Sequence, residues 1–195
     1  AITHQRNKEY YKALLLFQKI LKLNPQHRSA KGGLVRIATL LGAPHVAMAL
    51  IEKNPGLVND NELFRIRQDR AAIEIRWGHL YKPANMTRYK DTDEALKELQ
   101  ALLDELNGKG ETNSVRVQGI KTDMMVALLD RNRTKECVVL FESLKEEKAV
   151  IADYGLMAAA RSYQAEGQAE NAKNIYLKIL HNNPDDFEAK LGLFY

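Results

Sequence analysis

The sequence predicts an all-α fold of antiparallel helix pairs, and three observations predict it. Apolar residues recur at threes and fours in segment after segment, the period of a helix with one buried face. Asn-Pro, Gly and Pro-Gly signals close these segments at short intervals, so that successive helices must fold back on one another. A small, an aromatic and an aliphatic residue and a proline recur at one spacing near both ends: Ala13, Phe17, Ile20 and Pro25, then Ala172, Tyr176, Ile179 and Pro184. Both copies end on Asn-Pro, at Asn24-Pro25 and at Asn183-Pro184.

That spacing is the second-helix half of a tetratricopeptide repeat (TPR). The predicted architecture is therefore a TPR superhelical array, and 195 residues hold about five helix pairs of roughly 34 residues. In such an array each pair exposes an apolar face that only its neighbour covers, and stability accumulates interface by interface. The small residues stand where two helices approach closely, and Phe17, Phe141 and Tyr176 fill the space between adjacent pairs. The first helices of the pairs line a concave groove, so function belongs there, and binding is expected in place of catalysis.

Each element follows from the same signals. Residues 7–23 carry Tyr10, Ala13, Leu14, Phe17, Ile20 and Leu21 on one helical face, stopped by Asn24-Pro25. Residues 27–41 place Ala30, Leu34, Ile37, Ala38 and Leu41 at the helical period and end at Gly42; residues 44–53 place Ala47, Leu50 and Ile51 and end at Asn54-Pro55-Gly56. The centre is less regular. Residues 61–81 read as one long helix, broken by Pro83 and Asn85, with a connection running to Tyr89. Residues 91–106 form an amphipathic helix with Ala95, Leu99, Leu102, Leu103 and Leu106 inward and Asp91, Glu94, Glu98 and Glu105 on a solvated face.

After a turn at Gly108-Lys109-Gly110 the order returns. Residues 114–130 and 134–146 form one pair, with Cys137, Phe141 and Leu144 in the small, aromatic and aliphatic roles. Residues 153–166 and 168–181 form the next and best-formed pair, and 185–195 begin a further helix. The reading is a single array over 1–195, regular near 7–55 and 113–184 and irregular near 60–90. Repeats already running at residue 7 lead to the expectation that the chain is an excised segment of a longer protein.

Composition narrows the function. An apolar fraction of 45% with 5 prolines and 11 glycines is that of a folded chain. The 29 basic residues are spread along the sequence against 25 acids, which gives a net charge of +4 without a polyanion-binding tract, so no nucleic acid is expected as partner. Cys137 is the single cysteine and sits in a helical run, which excludes an internal disulfide and a thiolate metal cluster and points to a packed thiol. No stretch approaches the ~18 apolar residues of a membrane span. His4, His27, His45, His79 and His181 show no metal-ligand spacing, and no nucleophile elbow, phosphate loop or dinucleotide fingerprint is present. No catalytic residue, metal or cofactor is expected.

One stretch adds a resemblance. The runs DRAAIEIRW (69–77), YKDTDEALKELQALLDEL (89–106), QGIKTDMMVALLDRNRTKECVVLFESL (118–144) and YGLMAAARSYQAEGQAENAKNIYLKIL (154–180) are similar to the periplasmic repeat domain of the bacterial outer-membrane porin family that exports poly-β-1,6-N-acetyl-D-glucosamine. The order of elements matches as well, from the long helix through the acidic helix to two regular pairs.

The resemblance implies a non-enzymatic module on the periplasmic side of the outer membrane. Its partners would be the partly deacetylated, hence cationic, polymer of the biofilm matrix, a periplasmic polysaccharide deacetylase, and a C-terminal β-barrel of the same protein that lies outside this chain. A cationic sugar polymer calls for carboxylates and flat rings in the groove, all the more in a domain of net positive charge. Along the first helices the candidates are Asp69, Trp77 and Tyr81, then Asp123 and Asp130, then Tyr154, Arg161 and Gln164, with Asp123 foremost because it falls in the stretch most like the family. The competing reading is a generic TPR adaptor that grips peptide segments, which would need several groove Lys, Arg and Asn. A further alternative is the repeat arm of a larger glycosyltransferase.

Overall fold

The computed structural model describes residues 2–81 and 88–194, with side chains for 9–76 and 93–194. Among the described residues there are ten helices and no strand: α1 (Ile2–Leu23), α2 (Arg28–Leu40), α3 (Pro44–Lys53), α4 (Asp60–Tyr81), α5 (Arg88–Gly108), α6 (Val115–Asp130), α7 (Thr134–Glu146), α8 (Asp153–Ala165), α9 (Ala169–Asn182) and α10 (Phe187–Gly192). Pro83 and Asn85, expected to break the long helix, lie outside the described residues. Helix α5 begins before the expected Asp91, because nothing in Arg88-Tyr89-Lys90 stops a helix. In chain order α1, α3, α5, α7 and α9 take the second-helix role and α2, α4, α6, α8 and α10 the first-helix role.

The chain falls into two compact units, residues 1–70 and 71–195. In the first, α2 packs on both α1 and α3. Val35, Ala38, Ala47, Met48, Ile51 and Ile66 form its core. The turns are held by side chains as well as by proline: Asn24 ends α1 by accepting from the Gln26 amide, and His27 Nδ1 accepts from the Ala30 amide at 3.2 Å to cap α2. Asn59 and Glu62 form a reciprocal capping box at the start of α4, with the Glu62 amide donating to Asn59 Oδ1 at 2.9 Å and the Asn59 amide to Glu62 Oε2 at 3.4 Å.

In the second unit α6 packs on α5, α7 and α8, α7 packs on α8, and α9 packs on α8 and α10. Helix α8 is thus wedged against both helices of the preceding pair, which is how one repeat buries the next. Cys137, Leu144, Ala172, Tyr176 and Ile179 are buried in the roles their spacing predicts, with Phe141 beside them. The Phe141 and Tyr163 rings meet edge to face at 5.9 Å and 89°. Ala158, Ala159 and Ala160 are all buried, so α8 approaches its neighbours closely. Asp186 caps α10, its carboxylate accepting from the Ala189 amide at 2.9 Å.

Candidate functional site

Helix α8 presents two different stripes. Tyr154, Met157, Ala158 and Arg161, at i, i+3, i+4 and i+7, face the side occupied by the other first helices of this unit, while Leu156 and Tyr163 face α7 and α9. The first stripe borders a cleft of about 380 Å³ whose remaining wall is Arg76 of α4, Val126 and Leu129 of α6, and Asp186 and Glu188 at the start of α10, with Asp153 beside Tyr154. Four successive first helices therefore contribute to one depression.

Its centre is a three-residue arrangement. Tyr154 Oη donates to Asp123 Oδ1 at 3.0 Å, and Arg76 Nη2 reaches the same oxygen at 3.4 Å. The Arg76 guanidinium also stacks on the Tyr154 ring, 4.3 Å from the ring centre, where the electron-rich face attracts the cation. The Asp123 side chain is 8% exposed, that of Arg76 42%. Asp123 thus lies beneath the cleft and fixes the two groups above it. Burial first, and then the Asp123 charge, pushes the Tyr154 phenol up to about 12, so the ring carries a neutral hydroxyl at any physiological pH.

Carboxylates outnumber cations in the wall. Asp153, Asp186 and Glu188 stand against Arg76 and Arg161, and Asp123 adds a further negative charge below. Arg161 pairs with Glu188 at 3.0 Å, but both side chains are about half exposed or more (48% and 61%), so the pair is held weakly and its carboxylate stays exchangeable. Asn182 Nδ2 donates to Asp153 Oδ1 at 3.2 Å and orients that acid.

Of the residues predicted from sequence, the structure brings together Asp123, Tyr154 and Arg161. Gln164 is half-buried and accepts from Tyr176 Oη at 2.9 Å, tying α8 to α9 away from the cleft. Asp130 is the half-buried last residue of α6 and does not border the cleft. Asp69 belongs to the first unit, where it borders a separate cleft of about 300 Å³ with Arg36, Glu62 and Arg65. The side chains of Trp77 and Tyr81 lie outside the described residues. Sequence reasoning missed Arg76, Asp153, Asp186 and Glu188. A signal for two of them was present: the dipeptide acid-aromatic occurs at Asp153-Tyr154 and again one repeat later at Asp186-Phe187, both opening a first helix.

Among the described residues no group of three or more His, Cys, Asp or Glu is placed to hold a metal ion. No helix among them is long and apolar enough to cross a membrane.

Residues 154–186 match the tetratricopeptide repeat family. The whole chain superposes on a thermophilic TPR protein of Thermus thermophilus with a TM-score of 0.52 at 18% identity, covering 100% of this chain and 95% of that one, a likeness of fold alone. Over 135 residues, 67% of this chain, the sequence is 27% identical to the poly-beta-1,6-N-acetyl-D-glucosamine export protein of Escherichia coli K12, and equally to that of Escherichia coli O157:H7. The chain spans only 17% of the length of those relatives. By fold this is a tetratricopeptide-repeat protein, with similarity to part of a polysaccharide export protein.

Proposed function

We propose that this chain is a non-enzymatic module of an exopolysaccharide exporter. In this reading it binds partly deacetylated poly-β-1,6-N-acetyl-D-glucosamine on the periplasmic side of the outer membrane, docks a periplasmic deacetylase, and guides polymer toward a β-barrel of the same protein. The observation that carries it is the excess of carboxylates around Tyr154 in a chain whose net charge is positive. A protonated glucosamine amine forms charge-assisted hydrogen bonds with Asp153, Asp186 or Glu188, displacing Arg161 from the last. Tyr154, a residue 40% exposed with Arg76 stacked on its ring, supplies aromatic surface for a sugar. The similarity to an export protein over 135 residues supports the same substrate class.

Calorimetric titration with deacetylated and fully acetylated glucosamine oligomers tests this. The deacetylated oligomer is expected to bind more tightly, to lose affinity as salt rises, and to lose it again in a Glu188→Gln, Asp153→Asn variant. Failure to bind either oligomer, or equal affinity for both, removes the proposal. A second reading, a peptide-gripping adaptor, is favoured by Arg76 and Arg161, which would hold a peptide carboxylate. It predicts the reverse response, with the acid-to-amide variant binding peptide more tightly.

A further inference from the structure

On its other side α8 floors a second cleft, of about 440 Å³, between α7 and α9. Leu156 and Tyr163 line it together with Phe141 of α7 and Ile175 of α9. The rim is basic, with Lys145, Lys148 and Lys178 against the single acid Glu142. Glu142 is already engaged: it accepts from the Tyr163 hydroxyl and from Lys145 at 2.9 Å. The Tyr163 hydrogen bond, followed by the Lys145 interactions, holds its carboxyl below the usual range. Lys148 and Lys178 pair with no carboxylate among the described residues.

Lys148 also occupies an unexpected position. It has φ +54°, in the left-handed region, where the chain leaves α7 and the Ala149 amide donates back to the Leu144 carbonyl at 2.9 Å. The corresponding left-handed positions after α2, α5 and α8 are Gly42, Gly110 and Gly167, and after α6 the position is Asn132, a residue type that tolerates it. Glycine takes this conformation without strain and lysine does not, so a lysine here points to a use for its side chain.

We propose that the cleft between α7 and α9 docks an acidic segment of a partner protein. One apolar side chain of that segment rests on the floor of Phe141, Leu156, Tyr163 and Ile175, and its carboxylates meet Lys148 and Lys178. The charge sign selects the occupant: a polycation suited to the acid-walled cleft is repelled here, so the two sites on α8 bind different things. A peptide fits better than a small anion, because the floor is apolar and the Asn174 amide on the rim offers both a donor and an acceptor to a peptide backbone.

The test is amide chemical-shift mapping on the whole chain with a short peptide of Asp, Glu and Ser around one Phe. A control peptide has every acid replaced by its amide. Perturbations are expected at Lys148, Asn174, Ile175 and Lys178, with affinity falling as salt rises. Lys178→Glu is expected to weaken the acidic peptide about tenfold and Lys148→Gly about threefold. Lys148→Gly relieves the left-handed lysine and is expected to raise the thermal midpoint, so its lost affinity is not a folding defect. The proposal is overturned if the amide control binds equally well, if the footprint falls around Tyr154, or if a sulfated polysaccharide binds and the peptide does not.

Discussion

Tyr154 Oη donates to Asp123 Oδ1 at 3.0 Å, which joins the first turn of α8 to the middle of α6 beneath the acid-walled cleft. Because Arg76 both stacks on the tyrosine and reaches the same oxygen, one carboxylate orients two groups from two helices. Asp123→Ala removes a charged acceptor from a buried place and is expected to cost about 2–3 kcal/mol. Asp123→Asn keeps an acceptor and is expected to cost about half as much. Urea unfolding of the two variants decides, and equal losses would count against the hydrogen bond as the main effect.

The Tyr154 phenol gives a pH signature. Its folded pKa of about 12 lies above the value of about 10 for an unfolded tyrosine, so the fold favours the protonated form. The stability this contributes is complete below about pH 10 and is lost as pH rises through about 12. Tyrosinate absorbance, taken as the difference between the parent chain and Tyr154→Phe, should show a step centred close to 12. A step near 10 would mean a solvated ring.

At Gly155 helix α8 passes close to α6. A Cβ at this position would lie 2.4 Å from Thr122 Cγ2 and 3.0 Å from Ile151 Cγ2. Thr122 is buried and its hydroxyl donates to the Gln118 carbonyl at 2.8 Å, so its methyl cannot turn away cheaply. Gly155→Ala is therefore expected to destabilise the chain by about 1–3 kcal/mol despite alanine's better helix propensity. Thr122→Ala in the same chain should return part of that loss. Thermal unfolding of the two singles and the double measures the coupling.

Cys137 is fully buried, and burial pushes its thiol up to about 11. The thiolate is the reactive species, so the native chain is expected to resist a disulfide-exchange reagent and the denatured chain to take up one equivalent. Rapid labelling of the native chain would show that α7 opens readily from α8.

Much of this fold was legible in the sequence, because helix ends and buried stripes are local. Cys137, Phe141 and Leu144 occupy the same roles as Ala172, Tyr176 and Ile179, and each set was placed by spacing alone. The cleft was only partly legible, since it is assembled from four first helices whose relative rotation no local pattern encodes. Tyr154 and Arg161 could be found because they share one helical stripe. Arg76 could not, because its role depends on stacking over a ring from a helix far along the chain. The sequence suggests Asp123 as a groove acid, and its burial beneath Tyr154 follows from the close approach of α6 and α8 that Gly155 allows.

The spacing that first pointed to the repeat carries one more requirement. Phe17 of α1 lies against the backbone of Gly33 in α2, where an added Cβ would sit 2.4 Å from Cζ. Tyr176 of α9 lies the same way against Gly192 of α10, at 2.3 Å from Cζ, and in both cases the glycine follows the aromatic by sixteen positions. The aromatic of a second helix thus rests on the bare backbone of the next first helix. Replacing a helical glycine with alanine ordinarily stabilises by about 1 kcal/mol. Here the ring must shift to admit the methyl, at an expected cost of about 1–3 kcal/mol, so Gly33→Ala should fall between neutral and about 2 kcal/mol less stable. Phe17→Leu clears the space, and in that background Gly33→Ala should become stabilising by about the full helix-propensity term. The sign change across a double-mutant cycle, measured by denaturant unfolding, is the diagnostic. Additive effects would mean that ring and glycine are neighbours without being matched.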